Sequence, residues 1–448
     1  MPHTTRRTFL LAATASTAAF GLSPARAQER PLPIVFVHGN GDTAGLWITT
    51  LWRFESNGTP RDLMHAVDLK YPQARAVDAT PQAGRSSNDE VMRQVADEVA
   101  AVRKRTGAAK VILIAQSRGG NTVRNYIKNG GGADVTALAI LCGAVNHGVI
   151  SSDKALLGSE FNATSAFMRD LNGTPGEVVA GVRFVTIRSA ENDKFAQPDG
   201  RHLGMPGVAT GIGFDGPELK GAENIVIPKI DHRETGYGPE AFAAMYKVIT
   251  GKAPAMLTAT PEAAPILDGK VTGYEAGSPT NIGIAGATVT IYRVDKDSGA
   301  RIGDALYKKT AGADGQWGPF TAAGDAFYEF VIESAGNPIT HMYRSPFPRS
   351  STLVHLRPQV LGKDDAGAGS VVYISRPRGY FGAGRDIIEL AGKPAPGIPD
   401  GVPTLATSRL AFPAGPAQSV PGRFNDERIP ARTWPMTENR VTLIELTW

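Results

Sequence analysis

Three polar residues stand in an order that could open an ester: Ser117, Asp193 and His232. A serine hydroxyl attacks a carbonyl only when an imidazole takes its proton, and a carboxylate that fixes the imidazole tautomer makes the transfer productive. Ser117 lies in Ala115-Gln-Ser-Arg-Gly119, with small residues two before and two after. That spacing fits a sharp strand-to-helix turn, which has no room for bulk at its flanks and lifts the hydroxyl clear of the sheet. The backbone N–H of Arg118 then faces the position of an oxyanion. The turn His38-Gly-Asn-Gly-Asp42 offers a second donor, the N–H of Asn40.

Other residues compete for these roles. Glu191, Asp199 and Asp231 are alternative acids. Asp193 is preferred because its offset from the preceding strand suits a turn reaching back to the histidine, whereas Asp231, adjacent to His232, should face elsewhere. His38 reads as a packing residue at a strand end. His147 sits in a Gly-flanked turn but precedes every candidate acid, so it reads as loop structure. Arg118 reads first as a salt-bridged structural group, with recognition of a substrate carboxylate or other polar end as the alternative.

The elements that must position these residues follow from the hydrophobic pattern. Residues 33–37, 111–115, 135–141, 182–187 and 224–227 are short apolar runs, as strands covered on both faces require, and 67–72 is a further candidate. Between them, 88–105 carries Val91, Val95, Val99 and Val102 on one helical face, and 121–128 and 239–249 read as helices. Trp47, Leu51 and Trp52 suit a helical core face. Strands alternating with helices imply a parallel sheet covered on both sides. Each candidate catalytic residue follows the end of a strand, so all three should reach one edge of it. The segment 158–172, with Phe161, Phe167, Met168 and Leu171, reads as a lid, a wall of an acyl site or a packed short helix.

At 448 residues, with 42% apolar and 20% charged residues, the chain has the composition of folded domains rather than of disorder. A net charge of +4 with no long basic run gives no case for nucleic-acid binding. A single cysteine, Cys142, excludes an internal disulfide. No Cys/His cluster suggests a metal, and the chemistry needs no cofactor. Arg6-Arg-Thr-Phe-Leu10, a small-residue apolar run to Leu22, and Ala25-Arg-Ala27 resemble a twin-arginine signal peptide over 1–27. Export to the periplasm or beyond is the expectation.

With these motifs in place, residues 31–252 resemble the secreted bacterial lipases and esterases of the α/β-hydrolase fold. The Ala-x-Ser-x-Gly elbow and Ala166-Phe-Met-Arg-Asp-Leu-Asn172 carry the likeness. The whole chain resembles a two-domain archaeal type of lipase, through the stretch running from Glu240 to Gly251 and through Met342-Tyr-Arg-Ser-Pro-Phe347. That resemblance implies a carboxylic ester substrate with an apolar or polymeric acyl part, and a β-rich C-terminal domain that contacts a lipid or polymer surface. In the archaeal type the acid ends the strand after the nucleophile helix. Here that position is Cys142, so the acid must stand elsewhere. Extracellular polyester hydrolysis is the enzymatic alternative, and a non-catalytic binding protein on a hydrolase scaffold the other.

Residues 253–265, rich in Ala, Pro and Thr, read as a linker. From 266 onward alternating runs such as 287–294 and 326–332, with turns at Asp314-Gly315, read as an all-β sandwich or small barrel. A second β-rich stretch runs from about 351 to 448, and the sequence leaves open whether it is a separate module.

Overall fold

A computed structural model describes residues 1–2 and 31–448. The twin-arginine pair, the apolar run and the cleavage signal lie outside the described residues.

Six strands form one parallel sheet: β1 Ile34–Val37, β2 Met64–Val67, β3 Val111–Gln116, β4 Thr136–Cys142, β5 Arg183–Ser189 and β6 Glu223–Ile227. Their order is β2-β1-β3-β4-β5-β6. Every residue of β1 and β3 is buried, because helices cover both faces. On one face α2, here Asn88–Thr106, and α3, Arg118–Asn129, pack Val91, Val95, Val99, Val123 and Ile127 against the sheet. On the other, α1, Ile48–Ser56, and a C-terminal helix, Pro239–Thr250, bring Phe54 and Phe242 edge to face at 5.0 Å. Helix α2 starts where the sequence places it because Ser87 and Glu90 close a reciprocal cap, and it stops at Gly107, whose φ of 71° few other residues adopt.

The sheet order reverses between β1 and β3, since β2 lies to one side and β4 to the other. The crevice above such a reversal is where open α/β sheets hold ligands. The turn at 38–42 leaves β1 and Ser117 leaves β3, so both flank it.

The C-terminal half is β-rich, as expected. Its main sheet has seven strands: β7 Thr288–Val294, β8 Tyr307–Thr310, β9 Phe327–Glu333, β10 Ile339–Arg344, β11 Ser370–Ser375, β12 Thr407–Phe412 and β13 Arg440–Glu445. They run in the order β8-β7-β9-β10-β13-β11-β12, mostly antiparallel, with β13 parallel to both neighbours. Strands from either side of residue 350 therefore share one sheet, and the two β-rich stretches form one body. Each face of the sheet buries its own core. One is built around Trp317, Phe330 and Leu356, and the other faces a four-stranded sheet through Ile374, Ile444 and Phe424. Ile48 and Trp52 of α1 belong to the first of these cores, so this helix and the β-rich part share buried surface. Segment 253–265 packs against the same helix: Asn57 Oδ1 accepts from the Ala255 N–H at 2.7 Å, and Arg53 Nε donates to the Leu257 carbonyl at 2.7 Å.

Candidate active site

Ser117 has φ 54° and ψ −124°, a strained backbone that a sharp strand-to-helix corner imposes. Its surroundings show why the flanking residues are small. A Cβ at Gly119 would lie 2.5 Å from the His38 carbonyl, and one at Gly39 would lie 2.9 Å from Cβ of Ser117. The turn after β1 thus presses directly against the elbow. Ser117 is 8% exposed and borders a cavity of about 240 Å³.

His232 borders the same cavity. Its Nδ1 lies 2.8 and 2.9 Å from the two carboxylate oxygens of Asp193, and both residues are buried. A carboxylate only accepts, so Nδ1 carries the proton and Nε2 is left as the basic atom. That Nε2 has no hydrogen-bond partner in the protein. His232 is held at its backbone and at its ring. The His232 carbonyl accepts from Thr235 Oγ1 at 2.6 Å and Gln116 Nε2 at 3.2 Å, and the Phe195 ring meets the imidazole edge to face at 4.6 Å. Asp193 is itself fixed, since its Oδ1 accepts from the Phe195 N–H at 2.8 Å.

Cys142 ends β4 and is fully buried. Its carbonyl accepts from the Ser117 N–H at 2.9 Å, and burial alone pushes its thiol far above the usual range. The imidazole lies over the next residue, Gly143, where a Cβ would meet Nδ1 at 3.4 Å and the His232 carbonyl at 2.9 Å. The space above β4 is therefore taken by the histidine, and the carboxylate reaches it from the turn after β5.

The competing residues point elsewhere. Asp231, wholly buried, accepts from the Tyr380 N–H at 2.8 Å and pairs with Arg376 at 2.9 Å, both from the β-rich half. Asp199 caps a short turn through the Arg201 N–H, and Glu191 is exposed. His147 bonds the Gly216 carbonyl and Glu177 at 2.9 and 3.2 Å, away from Ser117. His38 accepts from the Leu69 N–H through Nε2 at 3.2 Å, and burial holds its pKa below the ordinary value, so it stays a neutral structural ring.

Arg118 takes the structural role. Its guanidinium makes a two-pronged pair with Glu160 at 2.7 and 2.8 Å, and both side chains are 1% exposed. It also donates to the Pro72 and Ser86 carbonyls at 3.0 and 2.9 Å. Pro72 in turn accepts from the Gly41 N–H at 3.1 Å, and Asn40 Oδ1 accepts from the Ala74 N–H at 2.8 Å. Through this network the side chain of Arg118 fixes the turn that presents the Asn40 amide, while its own N–H heads α3, where the first amides have no carbonyl within the helix. No charge on Arg118 is left over for a substrate carboxylate.

Two residues of the site carry no sequence signal. Phe195 closes over His232, and Tyr380, from the β-rich half, borders the cavity. The Arg233 guanidinium stacks on the Tyr380 ring at 4.9 Å and pairs with Asp42 at 2.9 Å. Of the apolar walls Val145, Val149, Leu156, Phe161 and Leu203, only Phe161 belongs to the segment 158–172 expected as a lid, an acyl-site wall or a packed helix; Met168 and Leu171 of that segment are buried in a short helix, Ala166–Asn172. Among the described residues no group of three His, Cys, Asp or Glu is placed to hold a metal ion.

Residues 31–196 match the family described as Lipase (class 2), and residues 266–361 match the Lipase C-terminal domain. Solved structures similar to the chain include lipase B of Aspergillus fumigatus, at 19% identity over 53% of this chain and 56% of that one, with a TM-score of 0.36. The chain thus spans just over half the length of the fungal lipase. The mature lipase BlEst2 of Bacillus licheniformis matches at 17% identity over 50% and 93%, with a TM-score of 0.37. The carboxylesterase CesB of Bacillus subtilis matches at 11% over 50% and 85%, with a TM-score of 0.28. The chain thus carries a segment that matches the class 2 lipases, followed by one that matches the lipase C-terminal domain.

Proposed function

We propose that the protein hydrolyses carboxylic esters through Ser117, His232 and Asp193. His232 Nε2 takes the Ser117 proton as the oxygen attacks the ester carbonyl, and Asp193 stabilises the imidazolium that forms. The N–H groups of Asn40 and Arg118 receive the oxyanion. The imidazolium then protonates the departing alcohol, and water, deprotonated by the same Nε2, releases the acid from the acyl-enzyme. The observation that carries this reading is the Asp193–His232 pair, with Nε2 unpartnered and His232 bordering a cavity that Ser117 also borders.

The cavity favours one substrate class. Its walls are largely apolar and its volume of about 240 Å³ suits a short to medium acyl chain. The test is a series of p-nitrophenyl esters: the account expects kcat/KM to peak between butyrate and decanoate and to vanish in Ser117→Ala. We assign the 1–27 segment to twin-arginine export, tested by fusing it to a reporter that is active only after export of the folded protein. The β-rich half acts in this reading as a brace, through Tyr380 and Arg376, and as the surface that meets a lipid or polymer substrate, which a vesicle flotation assay tests.

A further inference from the structure

On the far side of the Asp42–Arg233 ion pair from the ester cavity lies a second cavity of about 250 Å³, between the hydrolase part and the β-rich part. Four guanidinium groups border it, those of Arg233, Arg344, Arg357 and Arg378, against the carboxylates of Asp42 and Glu445. Two of the cations are matched: Arg233 pairs with Asp42 at 2.9 Å, and Arg344 with Glu445 at 2.6 Å.

Among the described residues the other two have no carboxylate within 4 Å. Arg378, 5% exposed, donates only to the carbonyls of Thr447, Gly45 and Leu446. Arg357 donates through Nη2 to the Thr280 carbonyl at 2.9 Å and to Asn281 Oδ1 at 3.1 Å. Its Nε has no partner, nor has Nε of Arg344, nor the hydroxyl of Thr272, although all three atoms are buried. Burial lowers the pKa of both guanidinium groups, Arg378 to about 10, and the more distant carboxylates, Asp42, Glu445 and Asp68 around Arg357 and Glu445 and Glu427 around Arg378, do not offset it. Unpaired buried charges destabilise a fold, and unsatisfied donors around a polar cavity add to that cost. A ligand bearing two negative charges and several acceptor oxygens removes both defects, because planar guanidinium forks match tetrahedral oxyanions.

We propose that this cavity binds a small tetrahedral dianion, inorganic phosphate, sulfate or a phosphate monoester, held by Arg357, Arg378, Arg344 and Thr272. The anion sits between the two parts of the chain and bonds groups from both sides of residue 350. Its occupancy stabilises the assembled protein.

The test uses the full mature protein, with apparent Tm followed as phosphate, sulfate or glycerol phosphate is added at ionic strength held constant with sodium chloride. Phosphate should raise Tm saturably, by roughly 3 °C or more at 50 mM, while chloride alone does not. Glycerol phosphate matching phosphate would extend the ligand class to lipid headgroups; phosphate alone acting would confine it to the free anion. Arg357→Gln should abolish the phosphate-specific rise. If that variant fails to fold, Thr272→Val, which removes one donor without touching a charge, should raise the phosphate half-saturation concentration several-fold. Equal shifts for phosphate and chloride, or a phosphate response unchanged in both variants, would show a cavity filled by water only and overturn the assignment. The readout is separate from ester hydrolysis, so failure of the triad leaves it standing.

Discussion

Asp231, the residue before His232, is clamped by Arg376 of the β-rich half at 2.9 Å, across 145 positions of sequence. Arg376 reaches Glu234 as well, at 2.6 Å, so the loop bearing the histidine is tied on both sides of His232 to the β-rich half. The β-rich half therefore fixes the loop that carries the imidazole.

This predicts that Arg376→Met lowers stability by about 3 kcal/mol, because the buried Asp231 loses its close partner and keeps only Arg385, 3.6 Å away. Turnover should fall too, as the His232 loop loosens. Urea unfolding measures the first and kcat on an activated ester the second; Arg376→Lys should recover part of both.

Arg118 and Glu160 form the other buried brace. Removing either alone, as Arg118→Met or Glu160→Gln, should cost about 3–5 kcal/mol, whereas a double change to apolar residues should cost less than the two single changes added. A double-mutant cycle by denaturant unfolding gives the coupling. Activity of the Glu160→Gln variant should drop as well, since the same guanidinium holds the Pro72 carbonyl behind the Asn40 turn.

The acid can be identified by substitution. Asp193→Asn should lower kcat roughly 10³- to 10⁴-fold, because an amide donating to Nδ1 stabilises the wrong tautomer. Glu191→Gln, Asp199→Asn and His147→Ala should stay within about threefold of the parent enzyme. Steady-state kinetics on p-nitrophenyl butyrate separates them.

Asp68 supplies a pH signature. Burial pushes its carboxyl upward, but the His355 charge and hydrogen bond and the Lys270 ammonium outweigh this and hold it well below the usual range. A carboxyl whose folded pKa is depressed stabilises the protein above its unfolded value, near pH 4, and that contribution drains away as pH falls through the folded value. Asp68→Asn should thus be less stable at pH 7 by about 2 kcal/mol or more, and the gap should narrow below about pH 4. Urea midpoints at pH 7, 5 and 3 check it.

Much of the catalytic half is legible in the sequence because its signals are local. The buried runs of β1, β3 and β4, the valine stripe of α2 and the small residues around Ser117 each declare themselves within a few positions. The pairing of Asp193 with His232 is readable only from their order along strand ends, and it agrees with the distance found. What is not legible comes from afar. Glu160 gives no sign that it neutralises Arg118, and Tyr380 and Arg376 meet the His232 loop from the β-rich half, about 145 positions away in the chain. The parallel insertion of β13 between β10 and β11 is likewise hidden, because strand pairing across about 100 residues depends on the whole packed sheet rather than on any local pattern. Segment 253–265 has a linker's composition, yet its backbone is bound by Asn57 and Arg53, groups far away in the chain.

The most direct test is fluorophosphonate labelling of the protein, with the modified peptide located by mass spectrometry. The account predicts one adduct, on Ser117, formed far more slowly in His232→Ala and absent in Ser117→Ala. Ester hydrolysis that persists in Ser117→Ala, or an adduct on another residue, would contradict it.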